Sequence, residues 1–352
     1  MIGARRIRAR RTTALLATAL LVAGGLVGTT TAAPAAPGPA GRRAPDDVVT
    51  KTLTLSWQGS TPRSRLDQSA STRVPGIGQL KLVCKPNNTM VKIVPDDRNR
   101  ETTMWLAKYE KKGGRDVVAV KNVRVYRFDT ALDDGTGGTG RAAHEGLNQE
   151  TPVETFSSGY AEGVISTRTG RHLPGGAMPA VPATALKLSW WWENFREPQE
   201  YRTCRMDATL STDLSQAALL TWHGDQDAGS SDGSSDRTVV TADLAPLGTL
   251  ELRCEPGRRG ARWVSLLTDD PAATVFARTI SGEGEVRDHV EEDSLDAGGG
   301  RVGPLDLPEN GMMELGWTAH GRTSSMFLSS YWITNDETSP ALNLCEVAAA
   351  PF

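Results

Sequence analysis

Gly78-Gln79-Leu80-Lys81-Leu82-Val83-Cys84-Lys85-Pro86 returns as Gly248-Thr249-Leu250-Glu251-Leu252-Arg253-Cys254-Glu255-Pro256, a shift of 170 positions. Each stretch reads as a strand that ends at a cysteine. Upstream, Leu53-Thr54-Leu55-Ser56-Trp57 is answered by Ala218-Leu219-Leu220-Thr221-Trp222, two short strands that each lead into a tryptophan. Downstream, Met104–Lys108 aligns with Thr274–Arg278 at the same shift of 170, and both segments are β-prone. Near the end of each copy, Leu186–Trp192 corresponds to Met326–Trp332, with Cys204 and Cys345 following twelve and thirteen positions later.

Four cysteines allow three pairings. The repeat selects Cys84 with Cys204 and Cys254 with Cys345, so that each copy closes its own loop. Gly and Pro supply 36 and 20 residues and only 38% of the chain is hydrophobic, a composition of short strands and many turns. The expected fold is all-β: two tandem, internally duplicated antiparallel β-sandwiches, immunoglobulin-like by analogy, with one disulfide each. Their expected bounds are Val49–Asp213 and Leu214–Phe352. Copy one is the longer between its cysteines, and the surplus is assigned to Asp133–Gln149 and Arg168–Ala183, which are loop-like in composition.

Residues 1–36 carry Arg5, Arg6, Arg8, Arg10 and Arg11, then the apolar run Ala14–Val27, then small residues and prolines. That order predicts a secretory signal peptide, followed by a flexible linker over 37–48. The apolar run is too short for the roughly 18 to 20 residues of a membrane-spanning helix, and no span is expected in the mature chain. Cleavage removes five arginines and no acidic residue, taking the formal charge from −3 to −8. A mildly acidic exported protein argues against nucleic acid as a partner. The expected localisation is secreted and extracellular.

Trp190-Trp191-Trp192 is the most suggestive functional feature. On a strand Trp190 and Trp192 share one face and Trp191 takes the other. Trp192 matches Trp332 and Trp191 matches Tyr331, whereas Trp190 matches Ser330. The unmatched Trp190 is therefore the candidate ligand-binding residue, on the reading that it stands exposed to stack on a sugar or anchor a partner. Trp57 and Trp222, being repeated, are assigned to the core.

The carboxylate pairs Asp96-Asp97 and Asp269-Asp270 sit beside prolines and read as the same turn in each copy. Asp225, Asp227, Asp232 and Asp236 lack ordered calcium-loop spacing. The histidines are scattered, and no His-Glu-x-x-His, Cys-x-x-Cys or Gly-x-Ser-x-Gly motif occurs. No catalytic residue, metal site or cofactor is assigned. The function expected is that of a secreted, non-enzymatic binding module for a polysaccharide, cell-wall or extracellular protein ligand. The alternatives are a protein-directed inhibitor or envelope interaction module that uses the long loops of copy one, and a hydrolase whose carboxylates gather between the two domains.

Overall fold

The two cysteine strands obey the period of two that an extended chain imposes. Leu80, Leu82 and Cys84 are buried while Gln79 and Lys81 face out, and Leu250, Leu252 and Cys254 lie in their own core in the same rhythm. The computed structural model describes residues 47–61, 68–85, 89–97, 100–112, 115–125, 158–169, 180–223, 239–254, 262–282, 286–292, 300–333 and 344–352. All fall in one unit, Gly41–Phe352. The expected signal peptide, almost all of the linker, the Asp133–Gln149 loop and the aspartates at 225, 227, 232 and 236 lie outside the described residues.

In chain order the strands are β1 (Val48–Gln58), β2 (Ser69–Val74), β3 (Gly78–Val83), β4 (Met90–Pro95), β5 (Arg100–Lys112), β6 (Arg115–Val125), β7 (Gly159–Thr169), β8 (Thr184–Glu193) and β9 (Thr203–Asp213). There follow β10 (Ala218–His223), β11 (Val239–Asp243), β12 (Thr249–Cys254), β13 (Arg262–Leu267), β14 (Thr274–Ser281), β15 (Val286–Glu292), β16 (Arg301–Asp306), β17 (Asn310–Ala319), β18 (Arg322–Ile333) and β19 (Leu344–Pro351). Among the described residues no helix is long and apolar enough to cross a membrane.

Among the described residues the strands form four antiparallel sheets. Two have six strands, ordered β1-β9-β8-β7-β5-β6 and β10-β19-β18-β17-β14-β15, and the smaller ones are β2-β3-β4 and β11-β12-β13-β16. One core, with Leu80, Leu82, Ile93, Leu186 and Met206, joins the three-stranded sheet to the first six-stranded sheet. A second, with Leu250, Val264, Leu315 and Leu328, joins the four-stranded sheet to the other six-stranded sheet. A third, with Trp105, Val164 and Ala185 facing Ile280, Met312 and Phe327, packs the two six-stranded sheets on each other. The layers therefore run three, six, six and four strands.

Both disulfides form as the spacing predicted, Cys84 with Cys204 and Cys254 with Cys345. Each ties a small sheet to a large one. Closing loops of 120 and 91 residues contributes about 5 kcal/mol apiece in the chain-entropy account. Cys204 lies between Trp57 on β1 and Trp192 on β8, and Cys345 between Trp222 on β10 and Trp332 on β18. The Trp57 and Trp192 rings meet edge to face at 5.5 Å.

Counting along the ladders from these cysteines sets positions of one large sheet beside positions of the other, and corrects one alignment. Met104 corresponds to Val275 and Leu106 to Ala277, a shift of 171 rather than 170. The difference matters because a slip of one residue exchanges the two faces of a strand. Met104, Leu106, Val275 and Ala277 all point into their own sandwich cores, as only the corrected register allows.

Trp190 is not on an open surface. It is 5% exposed within the first core, and its indole covers Gly159, its cross-strand partner, where even a Cβ would meet the ring at 2.4 Å. In the other sheet the counterpart pair is Gly311 with Ser330. There the Pro308 ring lies over Gly311, and Ser330 donates its hydroxyl to the Pro308 carbonyl. The tryptophan is unmatched because a proline in the β16–β17 connection does the same filling. Trp190→Ala is expected to lower stability by about 3 to 5 kcal/mol, as truncation of a buried aromatic does. Urea denaturation followed by fluorescence checks this, and an unchanged midpoint would remove Trp190 from the core.

Candidate functional site

The face of the first large sheet that meets the second sheet carries Trp105, Ala107, Val164, Ala183 and Ala185 in the buried interface. Beyond them the same face stays open and becomes aromatic and polar. Tyr109 on β5 and Tyr160 on β7 are cross-strand partners whose rings stack at 4.6 Å and 14°. Tyr160 faces Ser189 on β8, so Trp191, two residues on, is its diagonal neighbour. Trp191 in turn faces Arg205 on β9, whose guanidinium lies 5.4 Å from the indole centre. Tyr109, Tyr160, Trp191 and Arg205 thus form a diagonal strip over four neighbouring strands, about 15 Å across three inter-strand spacings. Tyr160 is 50% exposed and Arg205 is exposed.

Fixed polar groups border the strip. Asp207, opposite Ser189, accepts from Arg205 Nε at 2.8 Å and from Thr54 Oγ1 at 2.7 Å. Desolvation works to raise its carboxyl, but those hydrogen bonds prevail and hold it below its ordinary range. Beyond Trp191, Thr203 donates to Glu193 at 3.2 Å. The β8–β9 loop that carries the exposed Tyr201 is braced by Asn194 Nδ2 to the Tyr201 carbonyl and by Arg202 to the Glu197 carbonyl.

The corresponding positions of the second large sheet are Ile280, Met312, Tyr331 and Glu346. Every one is spent on the interface. Ile280 and Met312 are in its core, Tyr331 packs on Trp105 at 5.6 Å, and Glu346 accepts from Ser166 at 3.1 Å and Thr103 at 3.3 Å. One strip is an apolar docking surface, and the other is aromatic and amphipathic, with Tyr109 packed at the edge of the interface and Tyr160 and Arg205 exposed beyond it.

Where the open strip meets the second sheet, Glu162 and Lys187 are cross-strand partners, as are Arg278 and Glu314, the latter pair at 3.6 Å. Lys187 Nζ sits 3.7 Å from the centre of the Phe352 ring. Burial, followed by the charge of Glu314, pushes the Glu162 carboxyl up, against the pull of Lys187 and Arg278. Burial and then Glu162 push the Tyr109 phenol up in turn. Glu162 therefore keeps its proton to higher pH in the folded protein than in the unfolded chain. Stability falls as pH rises through the window just above the ordinary glutamate value of about 4.3. Glu162→Gln is expected to raise the denaturation midpoint at pH 7 and to lose that advantage at low pH, where both proteins carry a neutral side chain. A midpoint lower than wild type at pH 7 would contradict this.

The remaining sequence candidates fall in structural places. Asp96 closes a turn and pairs with Arg73, and Asp270 closes the matching turn, where the backbone N–H groups of His320 and Ala272 hold its carboxyl low. Leu307–Gly311 runs from the end of β16 into β17. Among the described residues no three His, Cys, Asp or Glu side chains gather to hold a metal ion. Repetition hid Trp191 from sequence reading, since its match Tyr331 is structural. No protein-family model, no curated protein and no solved structure matches the chain.

Proposed function

We propose that the chain is an exported tandem duplication of an immunoglobulin-like sandwich, and that it binds an extracellular or cell-wall polymer across the strip Tyr109–Tyr160–Trp191–Arg205. The identical strand order of the two large sheets and the paired placement of tryptophans around each disulfide support the duplication. The signal-like first 36 residues and the two disulfides support export. The observation that carries the binding reading is the contrast between corresponding strips: the second half buries Ile280 and Met312 and packs Tyr331 on Trp105, while the first half, past Tyr109 at the interface edge, presents the exposed Tyr160 and a half-buried, guanidinium-capped tryptophan. Partly exposed aromatics over a flat sheet offer large contact area at little cost in side-chain order. In a pull-down of the mature protein on insoluble chitin, cellulose and peptidoglycan, retention is expected to be lost in Trp191→Ala and Tyr160→Ala with the thermal midpoint nearly unchanged. Retention that survives both substitutions would move the binding surface elsewhere.

A carboxylate-dependent hydrolase is the second reading, favoured by the approach of Glu162 to Glu314 beside the stacked tyrosines. It predicts release of reducing ends from a retained polymer, abolished by Glu162→Gln. Full retention without any release would sink it.

A further inference from the structure

We infer that the ligand of the strip is a neutral glycan rather than a polyanion, an inference that rests on the strip being the binding surface. Among the described side chains, the charged groups bordering the strip are Lys187, Arg205 and Arg278 on one side of the balance and Glu162, Glu193, Asp207 and Glu314 on the other. Each of the three cations is already committed. Arg205 is held by Asp207 at 2.8 Å, Arg278 lies 3.6 Å from Glu314, and Lys187 stands across from Glu162 with its ammonium over the Phe352 ring. Arg202, at the end of the same loop, is spent on the Glu197 carbonyl and the Phe195 ring. A phosphate- or uronate-bearing polymer laid along the strip would meet a border with one carboxylate in excess, and would have to draw Arg205 from Asp207, Arg278 from Glu314 or Lys187 from the Phe352 ring.

A neutral sugar asks for something different: an apolar face for its C–H side, and donors and acceptors of fixed direction for its hydroxyls. Tyr160 and Trp191 supply the faces. The Arg205–Asp207–Thr54 group supplies the fixed polar partners, because each member is held by another and none has to be ordered on binding. Ser189, between Tyr160 and Asp207 in the ladder, and the Thr203–Glu193 pair extend that row. The strip is also longer than one sugar ring, which favours an oligomer over a monosaccharide.

The test is a titration of the intact mature protein with soluble chito- and cello-oligosaccharides, with polygalacturonate and with a phosphate-bearing polymer. It is followed by tryptophan fluorescence and calorimetry at low salt and at about 0.5 M salt, where the screening length falls to only a few ångströms. The neutral oligomers are expected to bind with little change between the two salt concentrations, to tighten with chain length, and to weaken about tenfold or more in Trp191→Ala. Polyanion binding that needs Trp191 and disappears at high salt, with no binding of neutral oligomers, would overturn the neutral-glycan inference while leaving the strip as the binding surface. Binding to no glycan of either kind by a protein that stays folded would instead overturn the polymer-binding reading itself and direct attention to a protein partner.

Discussion

The packing of one six-stranded sheet on the other decides what each half of the chain has left to present. Trp105, Ala107, Val164, Ala183 and Ala185 receive Ile280, Met312, Phe327, Ala348 and Ala350, and the four alanines on or near the β8 and β19 strands let two twisted sheets close to the usual spacing of about 10 Å. The contact is asymmetric. The second-sheet positions that correspond to the receiving surface hold Phe276, Arg278, Gly316, Thr323 and Ser325, none of them buried. Only one sheet is built to receive, so the other sheet's docking strip is consumed, whereas the receiving sheet's own strip meets the interface only at Tyr109 and leaves Tyr160 and Arg205 exposed.

Burying Glu346 in that contact limits how the sheets can sit. A carboxylate removed from water is tolerated where donors meet it, and Thr103 and Ser166, themselves cross-strand partners 2.7 Å apart, point their hydroxyls at it. Sliding one sheet along the other would carry the Glu346 side chain away from those hydroxyls and towards Trp105 or Val164, which line the same interface. The polar contact thus adds register to an interface whose apolar part would accept several placements, the role best attested for buried polar groups.

Much of this architecture was legible in the chain, for reasons that can be stated residue by residue. The disulfide pairing followed from the repeat because Cys84 and Cys254 end corresponding strands and their partners follow corresponding tryptophans. The two-faced reading of Trp190, Trp191 and Trp192 followed from the geometry of an extended strand. The register of β5 on β14 did not follow, because two residues are lost between the β4 and β5 positions and Met104–Lys108 resembles its neighbours at either shift. The interface was invisible for a different cause. Sequence period distinguishes inner from outer faces of a strand, but a large sheet that packs on both sides has no outer face over part of its length, and Ala185 and Ala348 give no warning of that.

Trp191 was passed over by a rule that is sound in most chains: a side chain repeated at corresponding positions belongs to the scaffold. The rule assumes that corresponding positions have corresponding surroundings, and the asymmetric interface breaks it. Tyr331 must fit against Trp105, and Trp191 has no such neighbour and carries Arg205 across its ring instead. At the next position the requirement reverses sign, a buried carboxylate at Glu346 against an exposed guanidinium at Arg205. The unmatched Trp190 differs from Ser330 without any change of surroundings, since Pro308 fills the space that its indole fills. A difference between corresponding buried positions reports packing, whereas a shared aromatic set once against Trp105 and once beneath Arg205 reports a change of surroundings that the sequence alone does not display.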